Sequence, residues 1–208
     1  METAIDEFRK ALQAHAPEFG IALEADRIER LTDYYELVGK WNPRLHLVAP
    51  CSPAEFAVRH VLESLVLLKH LPVNAAVVDV GSGGGLPIIP CLLVREDLRA
   101  TLIESSTRKA VFLHEALRAV KPPDRTQLIA ARFEDIETPA ADFLTCRALD
   151  RFTEILPALI DWAPRNATFL FFAGESIRNQ VQTILRSVTV EHLPQSERRY
   201  LLIARAIN

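Results

Sequence analysis

Three glycines at alternate positions follow a short apolar segment of the chain. Gly81, Gly83 and Gly85 come directly after residues 76–80, a segment in which Asp79 is the only charged residue. Glycine allows the backbone to adopt positive φ angles and to approach a ligand closely. In open sheets of parallel strands, ligands bind in the crevice at the carboxyl ends of the strands. The pattern therefore predicts a ligand-binding loop at the end of a buried strand.

The spacing of the glycines and the charge beside them indicate which ligand this is. A dinucleotide-binding loop follows the pattern GxGxxG, whereas this loop reads GxGxG and has Leu86 where the third dinucleotide glycine would stand. Asp79 is poorly placed for a pyrophosphate but well placed for a cationic ligand. S-adenosyl-L-methionine carries both a sulfonium and an ammonium group. The charge therefore favours S-adenosyl-L-methionine over NAD.

Four further side chains follow later apolar segments. Glu104 ends the second segment, where a carboxylate accepts hydrogen bonds from ribose hydroxyls. Phe133 and Glu134 follow the third segment and suit the face and the exocyclic amine of adenine. Arg147 ends the fourth, and its guanidinium is suited to the methionine carboxylate, a substrate phosphate or a base edge. We therefore predict an adenosyl pocket, with Arg147 as a positioning group near the transferred methyl.

The elements that would position these side chains change in kind near residue 72. Before it, apolar residues recur at helical spacing. Three helices are predicted there, from residue 5 to Pro17, from 28 to 41 where Asn42-Pro43 should stop it, and from Pro53, with Ser52 as its N-cap and Glu55 closing a capping box, to Pro72.

After residue 72, short apolar segments alternate with helical ones. The predicted strands cover residues 76–80, 100–103, 127–130, 143–146 and 168–172, and the helices lie near 87–95, 107–120, 152–162 and 175–187. Such an alternation is typical of a parallel sheet covered on both faces, hence of an α/β fold. The segments 188–190 and 200–205 look like an antiparallel pair that completes the sheet.

Composition limits the classes to which the chain can belong. Its 208 residues, 49% of them hydrophobic and 25% charged, fit one globular unit. We expect a helical extension over residues 1–72, packed on a cofactor-binding domain over 73–208. From the acidic first turn we expect no signal peptide, and the three dispersed cysteines favour reduced thiols over a zinc site or disulfides. We expect a cytoplasmic protein with no metal and no membrane contact.

Motifs beyond the glycine loop make the pattern more specific. They are Lys40-Trp41-Asn42, the segment HVLESL at residues 60–65, DVGSGGGLP at 79–87, and Cys146-Arg147-Ala148. The chain resembles the glucose-inhibited division protein B family, bacterial methyltransferases that act on a guanine N7 of 16S ribosomal RNA.

This resemblance implies a fold and a set of contacts. The implied fold is a Rossmann-like class I methyltransferase, with a seven-stranded, mostly parallel sheet, a C-terminal antiparallel hairpin and an N-terminal helical extension. The implied cofactor contacts are Gly81, Leu86, Phe133, Glu134 and Arg147. The chain departs from the family pattern at His46-Leu47-Val48, Ile88 and Ala173, which leaves the cofactor loop intact and alters positions expected near the RNA.

Guanine N7 is a lone-pair acceptor with no proton to lose, so its methylation needs alignment and no general base. The alternative of a thiolate nucleophile would use Cys146 beside Arg147, but its apolar strand predicts a buried, inert thiol.

We expect His46 and His60 to be hydrogen-bonded structural residues, and Phe8 and Trp41 to be core residues. The candidate RNA contacts are Lys40, Arg44, Arg59, Lys69, Arg108, Lys109, Arg151, Arg198 and Arg199.

The leading hypothesis is an S-adenosylmethionine-dependent enzyme that methylates guanine N7 in 16S rRNA or the 30S subunit, acting as a monomer. A small-molecule methyltransferase with a changed substrate site is the alternative enzyme. A non-catalytic S-adenosylmethionine-binding module that assists ribosome assembly is the non-enzymatic one. A dinucleotide oxidoreductase is less favoured by the loop.

Overall fold

The computed structural model describes residues 3–120, 123–147, 152–185 and 187–205. The helices are α1 (Ala4–His15), α2 (Ala25–Leu45), α3 (residues 53–69), α4 (Ile88–Val94), α5 (Thr107–Leu117), α6 (Phe152–Trp162) and α7 (Glu175–Ile184). The strands are β1 (Ala76–Val80), β2 (Arg99–Ile103), β3 (Thr126–Ile129), β4 (Phe143–Arg147), β5 (Thr168–Ala173), β6 (Val188–His192) and β7 (Tyr200–Arg205). Single 3₁₀ turns lie at Ala16–Phe19, Pro123–Arg125 and Phe133–Asp135.

The seven strands form one sheet in the order β3-β2-β1-β4-β5-β7-β6. The first five run parallel, while β7 is antiparallel to both β5 and β6. This confirms the predicted α/β class, the mostly parallel sheet and the terminal antiparallel pair. Because the chain crosses over between β3 and β4, the glycine loop after β1 lies where the strand order reverses, which is where ligands bind in such sheets.

Both faces of the sheet are covered, as the nearly apolar strands predict. Val77 of β1 faces a core formed with the N-terminal helices, α4 and α5. Val78 and Val80 face a second core, to which α6 and α7 contribute. The alternation of side chains along β1 therefore places Asp79 on the Val77 side, beneath the N-terminal helices.

The N-terminal helices share a hydrophobic core with the sheet. Phe8, Leu12 and Phe19 are fully buried in the same cluster as Leu102 of β2 and Phe112 of α5. The ring of Phe8 also stacks on Tyr35, with centroids 4.4 Å apart. The predicted core role of Phe8 is confirmed, and Trp41 likewise packs edge-on against Phe112 at 6.2 Å.

The predicted end of the second helix is wrong. Helix α2 continues through Pro43 to Leu45 and is capped by His46, which adopts a left-handed φ of 49°. Only the last turn follows the proline, so few backbone bonds are affected. The amide of Asn42 holds this end by accepting from Val48 N at 3.0 Å and donating to Val48 O at 3.1 Å. The two hydrogen bonds between Asn42 and Val48 therefore outweigh the tendency of a residue before proline to avoid the helical conformation.

Helix α3 begins where the sequence predicts. Ser52 is its N-cap and accepts a hydrogen bond from Glu55 N at 3.1 Å, while the Glu55 carboxylate pairs with Arg59. The middle of the helix, Phe56–Leu62, is a π-helix, a form that often occurs at functional sites. Among the residues that the structure describes, none of the helices combines the length and the apolar content needed to span a bilayer.

Candidate active site

The three alternating glycines adopt the backbone that the sequence predicts. Gly81, Gly83 and Gly85 have φ values of 70°, 54° and 81°. A Cβ at Gly85 would lie 2.3 Å from Ile89 Cδ1, whereas a Cβ at Gly83 would meet only a carbonyl oxygen at 3.7 Å. Gly85 is therefore required for packing against α4, and Gly83 faces open space.

The loop is held in position from two neighbouring elements. On the side of β2, Ile103 O accepts from Gly81 N at 2.9 Å and from Ser82 N at 3.1 Å. On the side of α2, the buried hydroxyl of Tyr34 donates to Gly84 O at 2.5 Å. The helical extension thus contributes directly to the shape of the loop, a contact that sequence patterns do not reveal.

A cavity of about 900 Å³ opens above the loop, at the carboxyl ends of the parallel strands. The predicted cofactor-binding residues that line it are Gly81, Gly83, Leu86, Glu104, Phe133, Glu134 and Arg147. Its further lining includes His46, Leu47, Val48 and Ala49 after α2, His60 of α3, Lys109 of α5, and Arg132. Residues predicted from four separate segments therefore meet at one cavity.

Asp79 lies behind the loop and does not line the cavity. It is fully buried, and within the described part of the chain neither oxygen of its carboxylate has a hydrogen-bond partner. Burial raises the pKa of this carboxyl to about 7. An unpaired buried carboxylate is costly, so a cationic group bound near the loop would stabilise its ionised form. Asp79 is a predicted cofactor-binding residue, and in the structure its carboxylate is buried behind the loop.

Glu104 is fixed by two backbone groups. Its Oε2 accepts from Gly83 N at 2.8 Å and its Oε1 accepts from Ser106 N at 2.7 Å. Each carboxylate oxygen has a second lone pair, and the residue lines the cavity. The carboxylate is therefore held in one orientation while it can still accept hydrogen bonds from a ligand.

Phe133 and Glu134 lie in the 3₁₀ turn after β3. Phe133 is buried, with its ring edge-on to Trp162 at 5.4 Å. Glu134 is exposed, and its Oε1 accepts from Arg132 Nη2 at 3.3 Å. An apolar ring and a carboxylate thus stand side by side on the cavity wall.

Arg147, the last residue of β4, is held by helix α3. Its Nη2 donates to Glu63 Oε2 at 3.1 Å and to Arg59 O at 2.6 Å. The guanidinium also lies over the ring of Phe172, 5.2 Å from the centroid. Arg147 is therefore paired within the protein by groups on α3 and β5. Ala148, which follows it in the quoted motif, lies outside the described residues.

Glu63 connects Arg147 to the C-terminal hairpin. Its side chain is fully buried, and Oε1 accepts from Arg199 Nε at 2.8 Å and pairs with Arg199 Nη2 at 2.7 Å. Glu63 lies in the motif at residues 60–65, which by itself indicates no role for it. The sequence signal for a paired carboxylate is that Glu63 stands within the apolar stripe of α3. A charged side chain at a buried position is almost always paired.

The expectation for His60 is wrong in one respect. Its Nδ1 is buried and, among the described residues, has no hydrogen-bond partner. Burial, with the nearby guanidinium of Arg147 and two further arginines, lowers the pKa of the imidazole to about 3. Cys146 is buried, which confirms the predicted burial of the thiol. Burial raises the pKa of this thiol.

The candidate RNA-binding cations are only partly grouped. Arg108 Nη2 donates to Arg44 O at 3.2 Å, and the neighbouring Lys109 lines the cavity. These three residues form a basic rim beside His46. Other candidates are paired elsewhere, Lys40 with Glu115, Lys69 with Glu191, Arg59 with Glu55 and Arg199 with Glu63. Arg198 is exposed, and Arg151 lies outside the described residues.

A second groove, of about 1080 Å³, lies at the opposite end of the sheet. It includes Ala76 and Arg99, which begin β1 and β2, and Asp142, which precedes β4. Ligands of open α/β sheets bind at the carboxyl ends of the strands, and the predicted site residues line the other cavity. The cavity above the glycine loop is therefore the candidate site.

This fold is that of Rossmann-like S-adenosylmethionine-dependent methyltransferases. A solved SAM-dependent methyltransferase from Aquifex aeolicus aligns with a TM-score of 0.56 at 14% identity, over 75% of this chain and 94% of that chain. A precorrin-6y C5,15-methyltransferase from Geobacter metallireducens aligns with a TM-score of 0.53 at 15% identity, over 70% and 87%. At these identities the similarity concerns the fold.

Sequence comparison defines the family. The model of rRNA small subunit methyltransferase G (GidB) matches residues 27–204, and the chain belongs to this family, as its motifs predict. A Xanthomonas campestris protein named ribosomal RNA small subunit methyltransferase G is 39% identical over 136 residues, 65% of this chain and 63% of that protein. A Neisseria meningitidis serogroup B protein of the same name is 32% identical over 185 residues, 89% of each. The match to the Xanthomonas relative thus spans less than two thirds of its length.

Proposed function

We propose that this chain transfers a methyl group from S-adenosylmethionine to N7 of a guanine in 16S ribosomal RNA. The observation that carries the proposal is the cavity above the glycine loop, where Glu104, Phe133, Glu134 and Arg147 meet. Membership of the rRNA small subunit methyltransferase G family supports the choice of substrate.

The residues present fit the cofactor. The unpartnered carboxylate of Asp79 behind the loop suits a cationic ligand, and Gly83 leaves open space where a side chain would intrude. We assign Glu104 to the ribose hydroxyls, and Phe133 and Glu134 to adenine. Gly81, Gly85 and Leu86 would shape the loop around the ligand.

Arg147 would position a carboxylate or a phosphate. A guanidinium has five N–H donors, and the bonds to Glu63 and Arg59 O use only part of them. Because those bonds hold the side chain against α3, its remaining donors have a defined direction. We therefore assign it to the methionine carboxylate or to an RNA phosphate, with no role in proton transfer.

The chemistry requires no general base. When bound, S-adenosylmethionine would supply an electrophilic methyl group, whose bond to sulfur would break as its bond to N7 forms. Guanine N7 carries no proton, so no residue of the cavity has to accept one. His60 stays neutral and Cys146 is buried away from solvent, and neither is assigned a proton-transfer or nucleophilic role.

The basic rim of Arg44, Arg108 and Lys109 supports an RNA substrate despite the net charge of −3, since phosphate contacts depend on local charge. The enzyme would act in the cytoplasm, on 16S rRNA or the 30S subunit, as a monomer.

Incubation with labelled S-adenosylmethionine and 30S subunits or naked 16S rRNA from a strain that lacks the homologous gene tests the proposal. We expect label in 16S rRNA as 7-methylguanosine, identified by mass spectrometry of nucleosides. Cofactor binding without transfer to either substrate would favour the non-catalytic assembly module. Transfer to small molecules of a cell extract, with rRNA unlabelled, would favour the small-molecule enzyme.

A further inference from the structure

His60 lines the cavity, and one of its two ring nitrogens is buried in the protein. The residue lies in the π-helical part of α3 and lines the same cavity as the glycine loop. Its ring packs against Phe56, with centroids 5.1 Å apart. Nδ1 is buried and without a partner among the residues described. Nε2 is therefore the nitrogen left to meet a ligand.

The proton of the neutral ring belongs on Nε2. In the backbone, a buried N–H without an acceptor is rarer than a buried acceptor without a donor. By the same reasoning we assign the unprotonated nitrogen to Nδ1, which is buried without a partner among the described residues. The charged side chains around the ring are Arg59, Arg147 and Arg199, with Glu63 bonded to two of them. Burial and these cations keep the imidazole uncharged at neutral pH. His60 thus presents a constant N–H donor.

This donor matches one edge of guanine. On the edge that carries N7, guanine offers a second acceptor, O6, where adenine offers an amino donor. Methyl transfer uses the lone pair of N7, which leaves O6 as the acceptor available for recognition. An N–H donor beside O6 would therefore favour guanine and oppose adenine.

We propose that His60 Nε2–H donates to O6 of the acceptor guanine, so that it selects this base and orients N7 towards the methyl group. The proposal rests on the proposed function. A neutral imidazole also suits the product, because N7 methylation places a positive charge on the base. An imidazolium at this position would add to the three arginines and oppose that charge.

The test uses 30S subunits reconstituted with guanosine, inosine or 2-aminopurine at the nucleotide that the wild-type enzyme methylates. Inosine keeps O6, and 2-aminopurine lacks it while keeping N7. We expect the wild-type enzyme to methylate 2-aminopurine about 10- to 100-fold more slowly than inosine, the effect of leaving one buried donor without its acceptor. In His60→Ala, methylation of inosine should fall by a similar factor and the two bases should react at nearly equal rates.

Two variants and one binding measurement keep the outcomes distinct. His60→Gln, which retains a side-chain N–H, should restore part of the preference for inosine, and His114→Ala, on an exposed histidine of α5, should behave as the wild type. S-adenosylhomocysteine should bind His60→Ala with unchanged affinity in calorimetry. An unchanged preference for inosine in His60→Ala, or loss of cofactor binding in both His60 variants, overturns the proposed role of His60 and leaves the proposed function standing. Failure of the wild-type enzyme to methylate any of the three substrates overturns the proposed function with it.

Discussion

At the scale of single residues, Gly83 and Gly85 have different roles although the spacing pattern treats them alike. Gly85 is packed against Ile89, and Gly83 faces the cavity with open space beyond it. The same loop therefore contains one glycine that packs against α4 and one that we expect to leave room for a ligand. Substitution separates these requirements.

Gly83→Val should abolish cofactor binding and leave the protein folded. The valine would project towards the cavity, and its cost to stability comes from the positive φ, about 1–2 kcal/mol. Calorimetry with S-adenosylhomocysteine and a thermal melt measure the two effects. As the comparison, Gly85→Ala should lower the free energy of unfolding by about 2–5 kcal/mol, through overpacking against Ile89 and the strain of its positive φ. Wild-type affinity in Gly83→Val would show that the cofactor binds elsewhere.

Asp79→Asn should stabilise the ligand-free protein, and more so at pH 8 than at pH 5. The pKa of the folded carboxyl is raised from 3.8 to about 7. Between these values the folded state holds a proton that the unfolded state has lost, so stability declines as pH rises, by up to about 1.4 kcal/mol per pH unit. This loss of stability is complete above pH 7 and absent below pH 3.8.

Denaturant unfolding at both pH values measures this effect as a difference between variant and wild type. We expect the stabilisation by Asn to be about 2–3 kcal/mol larger at pH 8. Binding of S-adenosylhomocysteine should weaken in the variant, because the buried charge that favours its ammonium group is lost. An equal difference at pH 5 and pH 8 would mean that Asp79 is ionised in the folded protein throughout this range.

At the scale of elements, helix α3 joins the end of β4 to the loop between β6 and β7. The connection is Glu63, which is bonded to Arg147 on one side and to Arg199 on the other. The hairpin at the edge of the sheet is thereby coupled to the cavity wall. Removing one partner from such a buried group of charges is strongly destabilising, because it leaves a buried charge without compensation.

Glu63→Gln should lower the free energy of unfolding by about 3–5 kcal/mol, since it leaves two guanidinium groups without their buried counter-charge. Urea denaturation followed by circular dichroism measures the loss. Glu55→Gln on the same helix is the matched control, because its pair with Arg59 is largely exposed and should contribute less than about 1 kcal/mol. Similar losses in the two variants would contradict the structural role of Glu63.

At the scale of the whole molecule, the helical extension (residues 1–72) and the cofactor-binding part (73–208) share the hydrophobic core on one face of the sheet. Phe8, Leu12 and Phe19 are buried against the helices that cover the sheet, and Tyr34 bonds the glycine loop. We propose that the two parts fold as one unit, with the extension completing both the core and the cofactor loop.

A chain of residues 73–208 should therefore fail to fold when expressed alone. Removal of the extension exposes the apolar face on which Val77, Leu102 and Phe112 lie, so we expect aggregation and no cooperative transition. The full chain should unfold in a single transition by calorimetry. A soluble fragment that melts cooperatively would show that residues 73–208 form an independent domain.

Much of the fold could be predicted because its signals are local. Apolar segments identified each of the seven strands to within about two residues, and the glycine spacing identified a loop with three positive φ angles. The continuation of α2 through Pro43 could not be predicted, because it depends on a contact between Asn42 and Val48 across a turn. The partner of Arg147 was missed for the same reason, since Glu63 is distant from it in sequence.

The sequence by itself determined which chemical groups the site contains, because the glycines, Glu104 and Arg147 each stand at the end of a strand, and parallel strands end at a common edge. The tertiary structure alone decided how those groups are used. It placed Asp79 behind the loop, directed the Glu104 carboxylate with two backbone N–H groups, and paired Arg147 with Glu63. The physical reason is that strand and loop patterns are set by neighbouring residues. The burial, pKa and orientation of a polar side chain are set by groups that only folding brings within hydrogen-bond distance.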